Sequence, residues 1–158
     1  MIREVLLHPH PLLTRPAEPV GPAGADAVVR DLLDTMRSFG HCVGIAAPQI
    51  GESVRVAVVD CTGHRKAPDA HGELILVNPV IVAAEGSEVG REGCLSIPEL
   101  TANVRRATAI AVEAEGVRVE AEGFEARVIQ HEIDHLDGLL FLDRVESLEA
   151  DVFRRVRR

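Results

Sequence analysis

The chain reads as an α+β protein in which β-strands surround a central helix carrying His131-Glu132-Ile133-Asp134-His135, with another helix near the N-terminus and a short one at the C-terminus. Three observations predict this. Strand-like segments outnumber helical ones and cluster mid-chain, which favours segregated α and β over alternating β-α-β units. Residues 124–136 spread Phe124, Ala126, Val128, Ile129, Ile133 and Leu136 round most of a helix, the pattern of a helix covered on several sides. Residues 109–122 alternate Val112, Val117 and Val119 with Glu113, Arg118 and Glu120 about a Glu115-Gly116 turn, which is a hairpin signature.

The remaining elements follow in order. Residues 8–24 hold Pro9, Pro11, Pro16, Pro19, Gly21, Pro22 and Gly24, and predict an extended arm. Asp26 is suited to cap a helix in which Val29, Leu32, Leu33, Met36 and Phe39 keep helical spacing as far as Gly40. A strand over 54–60, a polar loop over 61–72 and strands over 74–77 and 80–84 come next, the last two split by Asn78-Pro79. After the hairpin, Gly123 opens the buried helix and Asp137-Gly138 closes it. A final helix over about 147–158 would turn Leu148, Val152, Phe153 and Val156 inward. No repeat, low-complexity tract or linker divides the chain, so 1–158 reads as a single domain.

Composition narrows the function. A net charge of -8 argues against DNA or RNA wrapping and against a polybasic membrane contact. No apolar run approaches the ~20 residues that a bilayer span needs. The start, Met1-Ile2-Arg3-Glu4-Val5, lacks the apolar core of a secretory signal, so the expected location is cytoplasmic. Trp and Tyr are absent, which leaves the core to Val, Ile, Leu and Ala. Cys42, Cys61 and Cys94 show no tight spacing, which speaks against a disulfide framework and leaves thiolate chemistry open.

On a helix, His131 and His135 lie one turn apart on one face and can hold one metal ion, with Glu132 beside them to take a proton from a bound water. A third ligand is needed. The tail after His135 has no His and only the acids Asp137, Asp143, Glu146, Glu149 and Asp151. Upstream, Arg91-Glu92-Gly93-Cys94-Leu95-Ser96 sets a thiol beside a glycine, where backbone can approach an ion closely. A thiolate with two neutral imidazoles leaves a divalent ion about one net positive charge and an open position. In Gly44-Ile45-Ala46-Ala47-Pro48-Gln49-Ile50-Gly51, small residues admit a neighbouring backbone and Gln49 offers an amide donor for an oxyanion. His8, His10, His41, His64 and His71 read as ordinary core or surface residues.

Taken in order, Gly-Ile-Ala-Ala-Pro-Gln, Glu-Gly-Cys-Leu-Ser and Gln-His-Glu-Ile-Asp-His-Leu-Asp-Gly closely resemble the three motifs of the peptide deformylases. Val5-Leu6-Leu7-His8 and Leu76-Val77-Asn78-Pro79 extend the resemblance over nearly the whole chain. It implies Cys94, His131 and His135 as metal ligands and Glu132 as general acid/base. The Gln49 side-chain amide and the Leu95 backbone N–H would hold the formyl oxygen. Gly44 and Ile45 would bind substrate backbone, and Val43, Glu92, Phe124 and Val128 would surround the methionine side chain. The implied reaction is metal-dependent removal of formyl from N-terminal formylmethionine of nascent peptides. The implied cofactor is one divalent ion per chain, Fe²⁺ in the cell, with Zn²⁺, Ni²⁺ or Co²⁺ as isolated.

The sequence departs from the family pattern at three positions. Cys42 replaces a usual glycine, at a strain cost of about 1 kcal/mol if φ there is positive and little otherwise. Thr101 stands where Arg or an aromatic is common, and Arg105 where Pro is common. Competing readings are an endopeptidase, which wants a longer chain and a downstream ligand, and a structural zinc site, which wants four protein ligands. A third is a catalytically silent, metal-containing binder of formylated N-termini, which would be marked by loss of Glu132 or Gln49. Arg154-Arg155-Val156-Arg157-Arg158 reads either as a solvated helix end or as a contact to ribosomal RNA.

Overall fold

In the computed structural model, which describes residues 1–155, the first long helix, α1 (Pro22–Ser38), opens with Pro22 directly after Gly21. Proline suits that position because the first helical N–H has no partner in any case. The helix thus starts four residues before the expected Asp26 cap. The arm ahead of it contains a 3-10 turn at Pro11–Thr14.

Nine strands form three antiparallel sheets among the described residues. The first runs β1 (Gly44–Ala46), β2 (Val56–Asp60), β3 (Glu73–Val77) in that order. The second orders β4 (Val80–Glu85), β7 (Ala109–Ala114) and β8 (Val117–Glu122), so the expected hairpin is present with Val112 opposite Val119. The third orders β5 (Glu88–Cys94), β6 (Ile97–Arg106) and β9 (Val152–Arg154). Helix α2 (Gly123–Leu136) contains residues 131–135 and packs against β1, β2, β7 and β8.

Alternation along β2 shows how the layers are built. Val56 and Val58 face α1, with Leu32, Met36 and Ile45, whereas Val59 faces the other way onto Ile129 and Ile133 of α2. The third sheet buries Ile97, Ala102 and Val104 against Leu13, Leu140 and Phe141.

The C-terminal expectation needs correction. Instead of a helix over 147–158, a four-residue helix α3 (Leu148–Asp151) passes into β9, which pairs with β6. Leu148 is 71% exposed and Phe153 37%, so neither turns into a core. An open edge on β6 offers backbone partners that a short isolated helix lacks. Val156, Arg157 and Arg158 lie outside the described residues.

Candidate active site

Cys94 ends β5, while His131 and His135 occupy successive turns of α2. Ligand atoms of the three lie within 4.8 Å of one another, and Cys94 Sγ is 3.4 Å from His135 Nε2. Tetrahedral S and N ligands at ordinary bond lengths sit about 3.6 Å apart, so this donor set fits a divalent ion with little movement. Burial disfavours a Cys94 thiolate, but His135 and His131 beside it hold the thiol well below its usual value. Burial likewise works against an imidazolium at His131, yet Cys94 and Glu92 raise it well above the ordinary histidine range. A divalent cation held by Cys94, His131 and His135 would supply the positive charge that these protons supply without it.

Glu132 is buried, and its Oε1 has no hydrogen-bond partner. Burial pushes its carboxyl above the usual range against the pull of His131 and His135. A carboxylate with its proton affinity raised in this way is suited to accept a proton and return it. Gly44 permits its placement, since a Cβ there would meet Glu132 Oε2 at 2.7 Å and Val128 Cγ1 at 3.0 Å.

Gln49, in the 3-10 turn Ala47–Ile50, is 2% exposed. Its Oε1 accepts from the Ala46 N–H at 3.0 Å, which fixes which end is the donor. Its Nε2 donates to Ser96 Oγ at 3.1 Å and points at Cys94 Sγ, 3.6 Å away. Buried Ser96, which was not singled out from the sequence, thus anchors the amide, and its carbonyl accepts from the His8 N–H at 2.8 Å.

A cavity of about 470 Å³ gathers Gln49, Glu92, Cys94, Leu95, His131 and Glu132 with Val43, Gly44, Phe124 and Val128. Ile45 does not line it; its side chain is fully buried under α1. Glu92 lines the cavity, but its carboxylate is engaged elsewhere. His131 Nδ1 lies 2.8 Å from Oε1, Arg106 donates to both oxygens at 2.9 and 3.0 Å, and Arg127 donates at 2.8 Å. Burial opposes ionisation of Glu92, and His131 and Arg106 reverse that, holding its carboxyl far below the usual range. Arg106 continues to Asp134 at 2.5 Å, which Arg144 also clasps.

Arg106, Arg127, Asp134 and Arg144 were all missed in the sequence, where nothing local links them to β5. His41 and His64, read as ordinary, also line the cavity, and His64 stacks on Phe124 with ring centroids 4.2 Å apart. Cys42 has no positive φ, so the strain expected of a left-handed turn is absent. Its Sγ donates to the Gly44 carbonyl at 3.2 Å, and burial pushes its thiol up to about 12.

A titratable buried carboxylate beside a Cys-His-His cation site, at the end of a cleft walled by strand edges, defines a metal-dependent hydrolase. The chain belongs to the polypeptide deformylase family, whose model matches residues 2–151. It is 40% identical to the peptide deformylase of Acidobacterium capsulatum, over all of this chain and 95% of that one. To peptide deformylase 1 of Bacillus cereus it is 44% identical, over 91% of this chain and 92% of that one. A crystal structure of a peptide deformylase from Legionella pneumophila superposes with a TM-score of 0.83 at 37% identity, covering 94% of this chain and 89% of that one. The Met-Ala-Ser-bound class I type b peptide deformylase of Acinetobacter baumannii superposes at 0.81 with 34% identity, covering 92% and 99%.

Proposed function

We propose that this chain, as one catalytic domain over 1–158, removes the formyl group from N-terminal formylmethionine of newly made polypeptides and releases formate. The observation that carries this reading is the buried Glu132 carboxylate, with an unpartnered oxygen, in the same cavity as Gln49 and as Cys94 and His131 of the Cys94-His131-His135 donor set.

A divalent cation on Cys94, His131 and His135 would polarise the formyl carbonyl and acidify the attacking water. Fe²⁺ is the expected cellular ion, and Zn²⁺, Ni²⁺ and Co²⁺ suit the same sulfur and nitrogen donors. Glu132 takes the water's proton and passes it to the departing amine. Gln49 Nε2 and the Leu95 backbone N–H donate to the oxygen that gains charge. Glu92 is reassigned from the methionine pocket to the orientation of His131, because its carboxylate faces that ring.

The substrate backbone adds to the edge of β1. Val43 O accepts from Asp60 N–H across the sheet, which leaves Gly44 to present its backbone to the cavity; Ile45 contributes no side chain. Val43, Phe124 and Val128 offer an apolar pocket for the methionine side chain. On this reading α2 is the central helix of the fold, packed by strands of the first two sheets and tied to the third through Glu92 and Arg106, which hold the motif rigid.

The enzyme is read as cytoplasmic and without membrane or DNA partners; no helix among the described residues is long and apolar enough to cross a membrane. The arginine-rich end supports a contact with ribosomal RNA, and reversal of its four arginines to glutamate should weaken ribosome binding in a salt-dependent way. An unchanged affinity would retire that contact.

The reaction is tested by following formate from formyl-Met-Ala-Ser with protein loaded with Fe²⁺ without oxygen. Formate and free amine should appear one for one, and acetyl-Met-Ala-Ser should stay intact because its extra methyl does not fit. Equal turnover of the acetyl peptide would contradict the size selection, and absence of formate would contradict the function.

A further inference from the structure

The end of the active-site cavity formed by β5 and β9 carries a charge opposite in sign to the protein as a whole. The chain bears -8, yet Arg91 and Arg155 both line this cavity. Among the described residues neither makes an ion pair. The third arginine of the lining, Arg127, is spent on Glu92. Glu92 in turn is neutralised by Arg106 as well, and Glu132 belongs to the metal end.

Neither guanidinium is ion-paired among the described residues, and the backbone of β9 together with side-chain contacts of Arg91 sets both at the rim. The Arg155 N–H donates to the Glu99 carbonyl at 2.8 Å, which continues the pairing of β9 with β6 one residue past Arg154. Its guanidinium lies over Gly93, where any Cβ would collide with it. Gly93 immediately precedes the metal ligand Cys94 on the edge strand β5, so the charge stands within a residue or two of the reacting end along the strand. Arg91 lies 4.0 Å from the centroid of the Phe153 ring and donates to Asn103 Oδ1 at 3.0 Å, which holds it upright at the same rim. Thr101, the departure noted above, pairs with Gly93 and Phe153 between these arginines and is neutral.

We propose that Arg155, supported by Arg91, is a specificity-determining residue that favours substrates with acidic side chains at the two positions after the formylmethionine and disfavours basic ones. The inference rests on the deformylase reading of the same cavity. Charge on an extended peptide leaving the metal end passes these guanidinium groups, which stand exposed at the rim, so their attraction for acidic side chains is weakened by added salt.

The test compares kcat/KM for three amidated peptides, formyl-Met-Glu-Glu, formyl-Met-Ala-Ser and formyl-Met-Lys-Lys, in the metal-loaded enzyme. Amidation removes the terminal carboxylate as a rival acidic group. At low ionic strength the Glu-Glu peptide should exceed the Lys-Lys peptide by about tenfold, carried by KM, and the ratio should shrink with added salt. Arg155→Gln should bring the ratio towards one, and Arg155→Glu should invert it. Cleavage of all three peptides at one rate, or a ratio that Arg155→Glu leaves unchanged, would overturn the proposal while leaving deformylation intact. Failure to cleave any of the three would remove the activity itself, and the preference with it.

Discussion

Nδ1 of His131 lies 2.8 Å from Oε1 of Glu92, the carboxylate that Arg106 grips through two nitrogens. That contact occupies Nδ1, so on the proposed reading Nε2 is the nitrogen that His131 would offer a metal. Glu92→Gln keeps an acceptor for the ring but loses the charge that Arg106 and Arg127 share. Metal affinity, read by chelator competition, should fall about 10–100-fold. Glu92→Ala should also cost about 3–5 kcal/mol of stability by denaturant titration, because buried Arg106 and partly buried Arg127 each lose a carboxylate partner. Wild-type affinity in both variants would show that the ring needs no such support.

Gly44 is the point of closest packing in the site. Gly44→Ala sets a methyl against Glu132 Oε2 and Val128 Cγ1. If Glu132 carries the proton as proposed, its displacement should lose about 100-fold in kcat/KM while the circular dichroism spectrum is retained. A fully active Gly44→Ala enzyme would mean that Glu132 has room to spare.

Gln49 is an amide whose acceptor end is occupied by Ala46 N–H and whose donor end is aimed into the site. Gln49→Leu should lower kcat by about 10²–10³ with metal content unchanged, as expected for loss of one oxyanion donor. An effect on KM alone would reassign it to ground-state binding.

Thiol burial sets an alkaline limit on stability. Burial raises the Cys61 thiol from its ordinary value of 9.0 to about 12 in the folded protein. Between those values the unfolded chain has lost a proton that the folded one keeps, so stability is full below about pH 9 and declines as pH rises towards 12. The melting temperature of Cys61→Ala should therefore fall less between pH 8 and about 10.5 than that of the parent. Parallel curves would place the alkaline loss elsewhere. Glu92 has the opposite sense: its depressed carboxyl stabilises above about pH 4.5, and that contribution drains away as pH falls below it.

Periodicity made α2, the β7–β8 hairpin and the apolar face of α1 legible in the sequence, because each buries a regular stripe. Residues 88–106 carried no such stripe. Glu88–Cys94 contains two glycines and three charged residues, and it is a strand because β6 pairs with it and because Glu92 finds Arg106 fourteen positions away. Gly90 is needed there because Arg127 lies across it. Long-range pairing of this kind has no local signature. The same holds for residues 152–154, whose apolar spacing suits a helix until the open edge of β6 is taken into account. Cys94, His131, His135, Glu132 and Gln49 stood out by residue type and order; the structure sets Cys94, His131, Glu132 and Gln49 along one cavity, with His135 buried behind Cys94. The arginines that steady them were legible only in three dimensions.

The account stands or falls on Glu132 as the proton carrier. The direct measurement is primary-amine release from formyl-Met-Ala-Ser by Ni²⁺- or Fe²⁺-reconstituted protein prepared without oxygen, beside Glu132→Ala loaded with the same amount of metal. Rapid turnover in the parent and a loss of at least about 10²-fold in the variant is the predicted result. Equal rates in the two, at equal metal content, would contradict it.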